Sequence, residues 1–138
     1  MPFTYALTVL ATDIDGLGHA NNVVYVRWVV EAAIAHSSAV GLGPAEYLAR
    51  KQVFVVRRQL IDYLRPALEG DTLAIETRVT ALGIATSTRQ TVITRARDGE
   101  VLARAVTDWA YIDLVKGRPV RIPIEVRSLF VVEAAHEK

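Results

Sequence analysis

Residues 12–28 read TDIDGLGHANNVVYVRW, and this stretch decides the fold. It begins as a polar loop broken by glycines and runs into an apolar segment that continues without Gly or Pro to Val40. That segment has the spacing of a helix, with Tyr25, Trp28, Val29, Ala32, Ala33 and His36 on one face. The other face is nearly as apolar, with Val23, Val26, Val30 and Ile34. We therefore predict a long buried helix over Val23–Val40, ended by Gly41-Leu42-Gly43-Pro44.

Most of the remaining chain has β patterning. The strands predicted from it are Phe3–Leu10, Val53–Leu64, Asp71–Leu82, Ile84–Arg97 and Val101–Asp113. The third of these alternates, which places Leu73, Ile75, Val79 and Ala81 on a core face and Thr72, Glu76, Arg78 and Thr80 on a wet face. The order of elements predicts one α+β domain over residues 1–138, a five-stranded curved antiparallel sheet wrapped around one long central helix.

The rest is less regular. Pro44–Arg50 is predicted as a short second helix, and Lys116-Gly117-Arg118-Pro119 is expected to end the sheet. We expect Glu125–Phe130 to be a short helix or an extended arm, and Val131–Lys138 to be frayed. Arg27 and Glu31 stand four residues apart and are expected to mark an exposed or interface stripe of the long helix.

Composition excludes several classes of function. The 138 residues have a formal net charge of +1 and contain no Lys/Arg run, which argues against a nucleic-acid partner. There is no cysteine, so disulfides, thiolate zinc sites and thiol nucleophiles are excluded. The sequence has neither a signal-peptide pattern at Met1–Leu7 nor an apolar stretch of membrane-spanning length, so we expect a cytoplasmic protein without a membrane partner.

Common motifs fail on spacing. Gly16-Leu17-Gly18 is not a dinucleotide fingerprint, because Asn21 stands where the third glycine belongs. Asp13 and Asp15 do not form a calcium loop, because Val24 replaces the bidentate acid. These two acids with His19 are only a weak metal signal, and we expect no metal and no separate cofactor.

The spacing Asp-x-Asp-x-x-Gly-His-x-Asn-Asn-x-x-Tyr-x-x-Trp, from Asp13 to Trp28, resembles the signature of hotdog-fold acyl thioesterases of the 4-hydroxybenzoyl-CoA thioesterase type. The run Tyr63-Leu64-Arg65-Pro66, the pair Gly70-Asp71 and Trp109 agree with it. The resemblance implies hydrolysis of an acyl thioester, most simply acyl-CoA, with coenzyme A as part of the substrate. An acyl-carrier-protein thioester is the alternative substrate.

The same resemblance assigns roles to residues. It places the catalytic carboxylate at Asp15, as nucleophile or as general base, and leaves Asp13 without a settled role. The thioester carbonyl is expected at the first backbone N–H groups of the long helix, with Asn22, seven residues after the acid, as the donor. Asn21 or Asn22 is alternatively only a helix cap. Gly18, Asn21 and Tyr25 belong to the same motif and are candidate substrate-binding residues.

Two positions depart from the family. His19 resembles the histidine of plant acyl-carrier-protein thioesterases, but Leu17 stands where those enzymes have an assisting Asn, which favours a role in ordering the loop over a catalytic one. The turn Leu82-Gly83-Ile84-Ala85 lacks the Arg and Lys that hold CoA phosphates in some relatives. Candidates to replace them are Arg57, Arg58, Arg89, Arg97, Arg104 and Arg118, each of which is also an ordinary surface charge.

The sequence also bears on two alternative functions, a dehydratase and a non-catalytic binding module, and on the oligomeric state. A hotdog dehydratase requires a Pro-Gly pair that the sequence lacks. A non-catalytic acyl-CoA or acyl-carrier-protein binding module has the same fold, but a buried carboxylate serves binding poorly. Open sheet edges and an apolar helix predict at least a homodimer with a shared active site, and the hotdog resemblance implies the same dimer, often paired again into a homotetramer.

Overall fold

The computed structural model describes residues 2–136. Its three α-helices are α1 (Asn22–Ala39), α2 (Pro44–Arg50) and α3 (Ile124–Arg127), and a 3-10 turn spans Ala11–Asp13. Its strands are β1 (Phe3–Thr8), β2 (Gln52–Tyr63), β3 (Thr72–Leu82), β4 (Thr86–Arg95), β5 (Val101–Asp113) and β6 (Arg118–Pro119). The predicted strands and the first two helices are therefore all present, with ends displaced by at most two residues, whereas α3 ends three residues before the predicted Phe130.

One antiparallel sheet holds the strands in the order β1-β3-β4-β5-β2. The hairpins β3–β4 and β4–β5 follow chain order, whereas β1 and β2 lie on the two outer edges. The predicted α+β architecture, a curved antiparallel sheet with a central helix, is confirmed. Strand β6 adds two residues to β5 at Ile112 and Asp113, so the sheet ends at Pro119, within the stretch expected to end it.

Helix α1 packs chiefly on β1 and β3. Its predicted inner face is buried, with Trp28 and Val29 exposing 1% and 0% of their surface. The outer face is not buried within this chain, because Val23, Val26 and Ile34 remain exposed. Part of this outer face, including Ile34, lines a cavity whose wall also contains residues of β2 and β5.

The predicted alternation of β3 holds only as far as Val79. Leu73, Ile75, Thr77 and Val79 are buried, but Ala81 is exposed. A register shift between Val79 and Ala81 in the pairing with β4 explains the error. A bulge inserts one residue, and every side chain after it changes face.

The C-terminal stretch is ordered, contrary to the expectation of fraying. Helix α3 is followed by a parallel bridge between Val132 and Val79, and the Glu133 N–H donates to the Val79 carbonyl at 2.8 Å. The Gln90 side chain donates to the His136 carbonyl at 2.8 Å. The segment thus lies along β3 and β4, and residues 137–138 are outside the described range.

Among residues 2–136, no single helix is long and apolar enough to cross a membrane; α1 and α2 together reach that length and composition but meet at a 73° bend.

Candidate active site

The loop that precedes α1 folds back on itself as a small hairpin. Ile14 and Ala20 form an antiparallel bridge, and the Asp15 N–H donates to the His19 carbonyl at 2.9 Å. Gly18 turns the chain with φ of +83°, a conformation that glycine adopts without steric cost. The hairpin therefore holds Asp15 and His19 opposite each other, with Leu17 projecting into solvent.

Asp13 anchors this hairpin to the helix. Its carboxylate is 4% exposed and accepts the Leu10 N–H and one Arg27 Nη2–H, each at 2.9 Å. Burial alone would raise the pKa of Asp13, but the Leu10 N–H and the Arg27 guanidinium outweigh it and hold that pKa below its usual value of 3.8. Arg27 also contacts Glu31 at 3.4 Å. The exposed stripe of Arg27 and Glu31 predicted on α1 therefore helps to hold the loop against the helix through Asp13.

Asp15 differs from Asp13 in its surroundings. It is half-buried, and its Oδ1 accepts the Leu17 N–H at 2.8 Å. Its Oδ2 makes no hydrogen bond to any of residues 2–136. One carboxylate oxygen is thereby fixed by the turn while the other is available to a reacting group.

The N-terminus of α1 offers one backbone donor. The Asn21 side chain caps the helix by accepting the Val23 N–H at 3.0 Å, and the Asn21 carbonyl accepts the Val24 N–H at 2.9 Å. Within the described chain the Asn22 N–H has no hydrogen-bond partner. The capping role weighed for Asn21 is therefore observed, and Asn22 keeps a free N–H at the positive end of the helix.

A cavity of about 210 Å³ opens beside this helix end. It is lined by His19, Ala20, Asn22, Tyr25, Tyr63, Leu64, Arg65 and Pro66. Of the six predicted site residues, His19, Asn22 and Tyr25 line it, whereas Asp15, Gly18 and Asn21 lie outside its wall.

Tyr25 is chiefly a structural member of this wall. It is 2% exposed, and its hydroxyl oxygen accepts the Ala67 N–H at 3.0 Å. Burial raises the pKa of the Tyr25 hydroxyl, so that hydroxyl stays neutral.

Tyr63 and Arg65 line the cavity but were not among the predicted site residues, although the Tyr63-Leu64-Arg65-Pro66 motif pointed to this segment. The Tyr63 hydroxyl donates to the Asn22 carbonyl at 3.3 Å and ties β2 to the helix end.

No group of three or more His, Asp or Glu side chains is placed to hold a metal within residues 2–136. Of the arginines considered for phosphate binding, Arg89 is not a surface residue at all, since it is 5% exposed.

A long helix on the concave side of a five-stranded antiparallel sheet, with a polar loop at the helix start, defines the hotdog fold. Known structures share it. A 1,4-dihydroxy-2-naphthoyl-CoA thioesterase from Synechocystis superposes with a TM-score of 0.86 over 94% of this chain and 95% of its own, at 23% identity.

Sequence comparison shows the family. The model of the thioesterase-like superfamily matches residues 9–130, and the chain belongs to that superfamily. It is 28% identical over 129 residues to the acyl-CoA thioesterase YbgC of Haemophilus influenzae, and this alignment covers 93% of each chain. It is 30% identical over 132 residues to a chloroplastic palmitoyl-acyl carrier protein thioesterase of Gossypium hirsutum, where the match covers 91% of this chain and only 32% of the relative.

Proposed function

We propose that this protein hydrolyses acyl thioesters, with acyl-CoA as the main substrate class. Two features of one loop and the helix that follows it support this most strongly. The Asp15 carboxylate has one oxygen without a hydrogen-bond partner in residues 2–136, and the Asn22 backbone N–H has none there either. An acid near a helix N-terminus is the combination that acyl transfer needs, since one group acts on the carbonyl carbon or on water and the other stabilises the oxyanion. The name of the full-length relative, acyl-CoA thioesterase, supports the same substrate class.

In this proposal the thioester carbonyl oxygen accepts the Asn22 N–H. Asp15 then either attacks the carbonyl carbon, giving an anhydride that water hydrolyses, or removes a proton from water as water attacks. Both routes release a carboxylic acid and the free thiol, and neither consumes a cofactor. Gly18, Asn21 and Tyr25 are proposed to shape the substrate site, through the turn, the helix cap and the cavity wall.

The plant relative supports acyl-carrier protein as an alternative thiol carrier. The His19 ring is exposed, and Asp15 is bonded to the His19 carbonyl, so we propose that His19 orders the loop. That arrangement differs from a catalytic histidine, which would need its ring nitrogens directed at the reacting groups.

The functional unit is proposed to be at least a homodimer. Within residues 2–136 strand β2 pairs only with β5, so its other edge is open, and Ile34 on the outer face of α1 shares a cavity wall with the start of β2. Pairing two β2 edges antiparallel about a two-fold axis sets the two helices side by side in opposite directions. The loop and helix start of one protomer then lie beside the second half of α1 in its partner. This arrangement buries Val26 and Ile34 and shares the site between protomers.

Release of free thiol from a panel of short, long and aromatic acyl-CoAs tests the activity. Hydrolysis of at least one ester well above the buffer rate is expected. Tight binding of the same esters without thiol release would support the binding module instead. Sedimentation at sub-micromolar concentration beside the assay tests the dimer, because a fully active monomer would show that one chain is sufficient.

A further inference from the structure

A second cavity, separate from the one at the helix start, lies between the second half of α1, α2 and the beginning of β2. Its volume is about 520 Å³, within the range of small-molecule sites. Most of its wall is apolar and includes Val30, Ile34, Tyr47, Phe54 and Phe130. In the proposed dimer it faces the loop and helix start of the partner, so it is positioned to receive the acyl part of a substrate.

One wall of this cavity contains a buried cation. Arg89 is 5% exposed, and its Nη1 lies 2.8 Å from the Nδ1 of His36 and 3.1 Å from the Oγ1 of Thr77. No Asp or Glu of residues 2–136 forms an ion pair with it. Its Nε–H and both Nη2–H groups have no hydrogen-bond partner in that range either. The Arg89 Cζ lies 6.0 Å from the centroid of the Phe130 ring, a cation–π contact that offsets only part of the cost of burying a guanidinium without a counter-ion.

The neighbour of Arg89 does not compensate the charge. His36 stacks on Phe3 and meets Phe130 edge-on. Burial and the positive charge of Arg89 lower the pKa of His36 to about 4, against a weaker opposite effect of Glu133. His36 is therefore neutral at pH 7 and accepts a hydrogen bond from Arg89. Burial lowers the pKa of Arg89 to about 10, so Arg89 still keeps its proton at pH 7.

A second donor lies on the same cavity. The Nε1–H of Trp109 is buried without a partner among the described residues, and Trp109 lines the cavity. Ser87, which pairs with Trp109 across β4 and β5, adds a hydroxyl to the wall. By contrast, the Ser37 and Tyr47 hydroxyls satisfy each other and the Leu42 carbonyl. The cavity wall thus carries a positive charge and residues with unpartnered donors, which favours an anionic ligand with several acceptor atoms.

We propose that this cavity binds the acyl group and selects acyl thioesters whose far end bears a carboxylate, held by Arg89 and Trp109. The carboxylate accepts from the free Nε–H and Nη2–H groups, while the methylene or ring portion packs on the apolar wall. The substrate class is thereby a thioester of a dicarboxylic acid. The substrate class rests on the proposed thioesterase function, whereas the carboxylate-binding site does not depend on it.

Binding tests the site without any turnover. Octanoate and the neutral octan-1-ol are titrated by calorimetry into the wild-type protein, Arg89→Met and Arg121→Met, an exposed arginine between β6 and α3. Octanoate is expected to bind the Arg89→Met protein about 10- to 100-fold more weakly than wild type, the range for hydrogen bonds to a charged group. The Arg121→Met protein is expected to match wild type, and octan-1-ol is expected to bind all three proteins with similar affinity. Equal octanoate affinity in wild type and Arg89→Met, or no octanoate binding by wild type, would overturn the proposal.

Turnover tests the substrate class. The ratio of kcat/KM for octanedioyl-CoA to that for octanoyl-CoA is expected to fall about 10- to 100-fold in Arg89→Met and to stay unchanged in Arg121→Met. An unchanged ratio in Arg89→Met refutes the selection while leaving the thioesterase activity intact. Absence of thiol release from both esters, with octanoate binding still dependent on Arg89, rejects the proposed function and keeps the carboxylate site.

Circular dichroism checks that Arg89→Met folds. If it does not, Trp109→Phe replaces it, since this change keeps the guanidinium and removes only one donor. Its kcat/KM ratio is expected to fall several-fold, and an unchanged ratio would count against the carboxylate site.

Discussion

Replacing Asp13 by asparagine isolates the charge that anchors the loop to α1. The amide oxygen still accepts one hydrogen bond, so the variant loses the ion pair with Arg27 and weakens one of the two bonds seen at 2.9 Å. Because the Arg27 side chain is 55% exposed, its pair with Asp13 is discounted to a surface value of about 1 kcal/mol. Replacing a charged acceptor by a neutral one costs about 1 kcal/mol more. The expected loss is thus about 1–2 kcal/mol, or roughly 3–7 °C in Tm for a chain of this length.

The pH dependence distinguishes this charge from simple packing. In the folded state the pKa of Asp13 lies below its usual value of 3.8, so the stabilisation is complete above that pH. It is lost as pH falls through the folded pKa, where the wild-type carboxyl becomes neutral and resembles asparagine. The penalty of the variant is therefore expected at pH 7 and should shrink below pH 3.8.

Urea unfolding followed by tryptophan fluorescence measures both quantities, since Trp28 is buried in the core. All variants are compared at one protein concentration, because a dimer unfolds in a concentration-dependent way. Glu31→Gln is the control, since Glu31 is the exposed partner of Arg27 and is expected to cost less than about 0.5 kcal/mol. A penalty for Asp13→Asn that is as large at pH 2.5 as at pH 7, or no larger than that of the control, would refute the reasoning.

Three further changes test neighbouring parts of the structure. Tyr25→Phe leaves the buried Ala67 N–H unpaired and should cost about 1–3 kcal/mol in urea unfolding; a cost below about 0.5 kcal/mol would mean that water replaces the hydroxyl. His19→Ala should reduce kcat by less than about 10-fold, because acid–base groups typically contribute more than that; a larger loss in a stable variant would make His19 catalytic. Val26→Glu, on the outer face of α1, should shift sedimentation toward monomer, whereas Ile84→Glu, at an apolar residue of the β3–β4 turn that is more exposed than Val26, should not; equal behaviour of the two would place the interface elsewhere.

The regular elements were predictable because their side chains repeat with a single period. Helix α1 was located to within one residue at each end, since its inner face follows helical spacing without interruption from Tyr25 to Ala33. The hairpin signals at Gly83 and Asp98-Gly99 likewise fixed the order of β3, β4 and β5. Local sequence is sufficient where the pattern and the fold agree.

The errors arose where tertiary contacts decide. The bulge before Ala81 is a property of pairing between two strands, and no residue type marks it. Arg89 was grouped with surface charges because β4 begins Thr-Ser-Thr-Arg-Gln-Thr, which is polar on both faces, so alternation cannot tell inside from outside. Its burial depends on His36 from α1 and Thr77 from β3, both remote in sequence.

The site residues were reached through the motif, since periodicity does not reveal chemistry. Asn21 illustrates what the motif leaves open, because a cap and a substrate contact use the same residue type. The role of Asp13 became clear only from its contacts with Leu10 and Arg27, the second of which is fourteen residues away.

The most direct test of the central claim is the turnover of an Asp15→Asn protein on the best acyl-CoA substrate. The amide oxygen still accepts the Leu17 N–H, so the turn is retained and only the reactive carboxylate is lost. We expect kcat to fall by at least about 10²-fold, the usual contribution of a positioned acid–base group, with an unchanged circular dichroism spectrum. Glu69→Gln, the same exchange at an exposed acid, should stay within about twofold of wild type, as surface substitutions do. A folded Asp15→Asn protein that keeps more than about a tenth of wild-type kcat would contradict the account.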